Sequence, residues 1–88
     1  MFTLSQTVAG SWVITLPNPE ERGCETQLAE FSSDITEAGS PARAALEGGA
    51  AATLALLVNR LPGSAWQVTS HDSAEIDRMS DLVVAALG

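Results

Sequence analysis

Three side chains of this chain, Cys24, His71 and Asp72, have types that could combine into a nucleophile and its base. A thiol nucleophile needs a base to generate thiolate, and that base needs an acceptor to orient it. His71 and Asp72 supply both types, but residues adjacent in sequence ordinarily point apart. Nothing around Cys24 resembles a catalytic cysteine signature. Cys24 therefore reads as a loop or sheet residue and His71 as a surface turn residue, and no catalytic residue is expected. One Cys and one His cannot close a zinc site, which takes four N or S ligands. Asp72, Glu75 and Asp77 do not have the spacing of a calcium loop; they read as the cap and first turn of a helix, where acids complement the dipole. No metal and no cofactor is expected.

Carboxylates are plentiful, because the chain has 11 acids against four arginines and no lysine. A catalytic carboxylate wants a desolvated seat. Glu20 and Glu21 fall in a loop, and Asp77 and Asp81 lie one helical turn apart on a polar face. Glu47 alone has apolar neighbours on both sides. Arg43 precedes it by four residues, so an ion pair along one helix is the expected arrangement. Gly48-Gly49 is no phosphate cradle, since the Lys-Ser/Thr of a P-loop is missing and the pair falls inside a helix. Two interior glycines cost about 1 kcal/mol each against alanine. Close internal packing against the sheet or the last helix is the expected reason, with a homodimer seam as the alternative.

One stretch concentrates charge. Glu20, Glu21, Glu25, Glu30, Asp34 and Glu37 form a run of carboxylates relieved by Arg22 alone. On a loop and a strand edge these seven residues would make a negative docking surface for a protein partner with a basic surface. Such electrostatics speeds association and selects partners more than it adds affinity. The competing expectation is a solvated face that only keeps the protein soluble.

The elements that must position these residues follow from periodicity. Phe2 to Leu16 alternates as a β-hairpin, with Phe2, Leu4 and Val8, then Trp12, Ile14 and Leu16, on the apolar side and Ala9-Gly10-Ser11 in the turn. Gln6 interrupts that side and suggests a bulge or an edge position. Pro17-Asn18-Pro19 ends the second strand. Glu25 to Ser33 fits a third strand, placing Gln27, Ala29 and Phe31 on one face and Thr26, Leu28 and Glu30 on the other; a helix aligning Leu28, Phe31 and Ile35 is the alternative. Asp34 to Gly39 fits one capped turn, with Asp34 capping and Glu37 in the capping-box position.

Ser40 and Pro41 then open a long apolar helix, which Pro62-Gly63 stops. Its expected buried stripe is Leu46, Ala50, Leu54, Leu57 and Leu61, with Ala45, Gly49 and Thr53 behind. Ala65 to Ser70 alternates as a short strand. After a cap at Asp72 or Ser73, a last helix over Ala74 to Leu87 buries Ile76, Met79, Val83 and Ala86. Leu82 and Leu87 widen that stripe near its end, as expected of burial from two directions or of a dimer contact. The expected fold is a single small α+β domain over residues 1–88, in β-β-β-α-β-α order. Its sheet is mostly antiparallel, with two helices packed on one face and Trp12 and Trp66 on the covered side.

Bulk properties bound the role. Net charge is −7 and the pI is near 4.2. Gripping a nucleic-acid backbone takes clustered Lys and Arg, so direct DNA or RNA binding is not expected, nor is an anionic membrane surface. A single cysteine allows no internal disulfide, Met1 to Val8 lacks a basic or apolar block, and the longest apolar run is too short to span a bilayer. A cytoplasmic setting is the expectation. The lead reading is a non-enzymatic, protein-binding regulator or inhibitor, acting on a nucleic-acid-handling protein with a basic surface. Many small phage and bacterial proteins share this layout, hence a class-level expectation of a phage or mobile element. The alternatives are a small-molecule-binding homodimer with weak enzymatic use of Glu47 or His71, and an assembly component of a larger complex.

Overall fold

The computed structural model describes residues 1–18, 20–32, 40–61 and 63–88. The first two strands, β1 (Phe2–Gln6) and β2 (Trp12–Pro17), pair antiparallel with Thr3 opposite Thr15 and Gln6 opposite Trp12. Gly10 makes the turn between them at φ 91°, a conformation open to glycine and strained for other residues. The turn begins sooner than the alternation predicts, so Val8 is not on the apolar face but 91% exposed at the tip. Gln6 is neither at a bulge nor on an edge strand, because β1 has a neighbour on each side.

The third strand, β3 (Glu25–Phe31), is a strand and not a helix; Ser33, where the strand was expected to end, lies outside the described residues. It pairs antiparallel with β2, and the register shifts between Ile14 and Thr15. That bulge changes the predicted facing. Thr26, Ala29 and Phe31 stand opposite Leu16, Ile14 and Trp12, while Glu25, Gln27 and Glu30 stand opposite Pro17, Thr15 and Val13. Gln27 and Thr26 therefore exchange the faces expected of them, because one inserted residue inverts the alternation. The capped turn expected over Asp34 to Gly39 lies outside the described residues.

The long helix, α1 (Pro41–Arg60), starts where the sequence places it: Ser40 Oγ accepts from the Arg43 backbone N–H at 3.1 Å, and Pro41 occupies the first turn. Its buried side is Glu47, Ala50, Ala51, Leu54 and Ala55. Leu46 and Leu57 are only partly buried, and Leu61, expected in the stripe, caps the helix and is 52% exposed. The small residues thus face inward, which lets the helix sit close to its neighbours.

The fourth strand, β4 (Trp66–Thr69), runs parallel to β1, with Phe2 opposite Trp66 and Leu4 opposite Val68. The second helix, α2 (Ser73–Leu87), is capped by Asp72, whose Oδ1 accepts from Ala74 N–H at 3.0 Å. It buries Met79 and Val83, with Ile76 and Leu87 at the margin; Ala86 is exposed, against expectation.

The sheet order is β3-β2-β1-β4, three antiparallel or hairpin-linked strands extended by one parallel strand, an α+β architecture. Phe2, Leu4, Trp12, Ile14 and Val68 meet Ala50, Ala51, Leu54, Met79 and Val83 in one core. Fully burying a large apolar side chain is worth about 1.5–3 kcal/mol, so Phe2, Leu4, Trp12, Ile14 and Leu54 are the residues the fold can least lose. The opposite sheet face is polar and joined by side-chain hydrogen bonds. Gln67 Nε2 donates to Thr3 Oγ1 at 3.1 Å, Thr69 Oγ1 to Ser5 Oγ at 2.8 Å, and Thr15 Oγ1 to Glu25 Oε2 at 3.0 Å.

Candidate functional site

Two places combine exposure with chemistry: the acidic side of the sheet at β3, and a groove at the opposite edge. β3 is the outermost strand and pairs only with β2 among the described residues. Glu25 and Glu30 are exposed on it. The connection that leads into it carries Glu20, Glu21 and Arg22, also exposed. That connection is tight: Asn18 N–H donates to the Cys24 carbonyl at 2.9 Å, Glu20 N–H to Asn18 Oδ1 at 3.0 Å, and Gly23 turns at φ 81°. So five of the seven expected docking residues, Glu20, Glu21, Arg22, Glu25 and Glu30, lie along one rim of the molecule. Asp34 and Glu37 lie outside the described residues.

The groove lies where β1 and β4, parallel to one another, end side by side. Gln6, Thr7, Val8, Gly10, Ser70, His71 and Asp72 line a volume of about 430 Å³. Its walls are held by a short network. Ser70 Oγ donates to Gln6 Oε1 at 2.6 Å and accepts from Asp72 N–H at 3.2 Å. The hairpin turn is fixed by Ser11 N–H to Thr7 Oγ1 at 3.1 Å, and by Arg43 Nη2, which donates to the Gly10 carbonyl at 2.9 Å across 33 residues. A Cβ at Gly10 would also stand 2.9 Å from Arg43 Nη2, the movable end of that side chain, so a larger residue here would displace the Arg43 bond as well as strain the turn. Asp72 Oδ1 is engaged in capping α2. The groove is large enough to seat a small molecule, and the Ser70 hydroxyl in its wall is engaged with Gln6 and Asp72.

Cys24 immediately precedes β3 at one edge of the sheet and His71 follows β4 at the other, so the fold keeps the thiol and the imidazole apart. Among the described residues no cluster of three or more His, Cys, Asp or Glu has a metal-holding arrangement. No described helix is long and apolar enough to cross a membrane.

Glu47 is the one deeply buried acid among the described residues, 2% exposed. Its expected partner, Arg43, is corrected by the structure. Arg78, from α2, grips both carboxylate oxygens, with Nη1 to Oε1 at 2.7 Å and Nη2 to Oε2 at 2.5 Å, and it also bonds Glu75. Arg43 points to the hairpin turn and acts on Glu47 through space. The Arg78 hydrogen bonds hold the Glu47 carboxyl below its ordinary pKa; burial pushes the other way and loses, and the charges of Arg78 and Arg43 add to the lowering. The Trp12 indole N–H contributes least. It is buried with no acceptor at hydrogen-bonding geometry among the described residues. Arg78 is in turn raised, chiefly by its bonds to Glu47. With both oxygens held by Arg78, the Glu47 carboxylate ties the two helices together. Sequence spacing could not find Arg78, because the pair joins two elements 31 residues apart.

No family model matches this chain, and neither the curated proteins nor the solved structures compared with it include a match.

Proposed function

We propose that the protein is a small, acidic, non-enzymatic binding module, a regulator or inhibitor that docks on a protein with a basic surface. The reading is supported by one observation above all: Glu20, Glu21, Glu25 and Glu30 are exposed along a single rim with Arg22 as the cation among them. Elsewhere Arg78 is engaged with Glu47 and Glu75, so it does not offset the charge of these four carboxylates. Proteins that handle nucleic acid present the basic surfaces that such a rim complements, and occupying one would exclude phosphate.

Association with a basic partner recovered from the native host should be fast at low salt and slow steeply as salt rises. Changing Glu20, Glu21, Glu25 and Glu30 together to Gln should reduce the low-salt association rate by about tenfold or more. Stopped-flow or surface-based kinetics would measure this, and an unchanged rate would overturn the reading.

A second reading rests on the groove lined by Gln6, Thr7, Ser70 and His71. Its size falls at the lower end of small-molecule sites, about 300–1,000 Å³. A ligand there would raise the melting temperature in proportion to the logarithm of its concentration, and a screen of small polar metabolites would detect it.

A further inference from the structure

The outer edge of β3 is a row of backbone donors and acceptors, and its phase can be read from the ladders. Thr7 N–H donates to the Ser11 carbonyl, and the register between β1 and β2 sets Ser5 opposite Val13 and Thr3 opposite Thr15. Hydrogen-bonded and open pairs alternate along an antiparallel ladder, so Val13 and Thr15 turn their backbone groups toward β1. Trp12, Ile14 and Leu16 then turn theirs toward β3. The Asn18 to Cys24 bond continues the same phase beyond Pro17. The residues opposite Pro17, Thr15 and Val13 are Glu25, Gln27 and Glu30. Their N–H and C=O groups therefore face away from β2, and no described residue pairs with them.

The geometry points to β-strand addition at this edge, by an extended segment of a partner that alternates Lys or Arg with apolar residues. Charge chooses the occupant. Two copies of β3 paired antiparallel would bring Glu25 and Glu30 of each strand into a crowd of like charge, which is destabilising. A basic segment meets the same carboxylates as counter-ions, with Glu20 and Glu21 at the end of the strand adding to the pull. The other open edge, β4, is only Trp66–Thr69 and carries no charge. Leu28, left over at the bulge and 43% exposed, supplies an apolar contact beside the edge. The backbone groups provide register and the carboxylates select for sign, the division of labour usual in strand addition. This rests on the proposed function and gives it a binding mode.

The test uses the full chain, isotopically labelled, with a capped peptide of alternating lysine and valine, and its counterpart with glutamate in place of lysine. Amide hydrogen exchange should show Glu25, Gln27 and Glu30 protected by tenfold or more when the lysine peptide saturates the protein. The amides of β4 should be unchanged, and the glutamate peptide should do nothing. Gln27→Pro removes an outward N–H while leaving the ladder to β2 intact, and it should weaken the lysine peptide at least tenfold. The exchange result on the unsubstituted chain stands even if that variant does not fold. Binding of the lysine peptide without protection at these three amides would overturn strand addition and leave the acidic docking surface standing. Absence of any binding at low salt would overturn both.

Discussion

Glu47 can be buried because Arg78 reaches it from the other helix, and removing either partner tests how much of the helix pairing depends on that tie. Arg78→Ala leaves a carboxylate in the core without its counter-ion. Chemical denaturation should show a loss of about 3 kcal/mol, near the low end for such pairs because the Arg78 side chain is 48% exposed and partly screened. Glu47→Gln keeps an acceptor for Arg78 and should cost less. The pH dependence follows from the direction of the shift. Glu47 ionises more readily folded than unfolded, so the pair's stabilisation is complete above the unfolded carboxyl range, about pH 4.3, and is lost as pH falls through the lowered folded value. Denaturation midpoints measured from neutral to acid pH should fall more steeply for the parent chain than for Glu47→Gln. The sequence made Glu47 conspicuous as a lone acid in an apolar helix, yet spacing favoured Arg43. Intrahelical spacing sees one element at a time, and this partner lies on another.

At the scale of elements, the period of each segment was legible, and the details that failed are those set by contacts between segments. Both helices begin at the caps that Ser40 and Asp72 announce. The bulge in β3 was not read from the sequence: Glu25 to Phe31 alternates poorly, with the apolar pair Leu28-Ala29 after three polar residues, and only the match to β2 shows Leu28 as the extra residue. Of the expected rim, the five described members are indeed exposed, since charged side chains at a sheet edge have nowhere drier to go. Gly48 and Gly49 were expected to admit a close neighbour inside the fold. The structure corrects that: a Cβ on Gly48 would meet nothing within 4 Å, and one on Gly49 only the Phe31 ring at 3.9 Å. Gly48→Ala should therefore raise stability by about 0.5–1 kcal/mol through helix propensity alone. Thermal unfolding would show it, and a loss instead would mean that this exposed side of α1 is covered in solution.

For the whole molecule, the parallel pairing of β1 with β4 decides the order in which the chain can assemble. The hairpin of β1 and β2 closes over a short turn, whereas Thr3 finds Gln67 only across 64 residues. Long loop closure is entropically slow, so hairpin contacts should form first and the β4–α2 unit should dock last. In rapid-mixing experiments Ile14→Val should chiefly slow folding, while Val68→Ala should chiefly speed unfolding. Equal effects of the two substitutions on the folding limb would contradict that sequence of events. During synthesis β1 consequently has one flank vacant until β4 has left the ribosome. For that interval its inner edge is a template for any passing strand, and the nascent chain is then at its most vulnerable to mispairing and most in need of a chaperone.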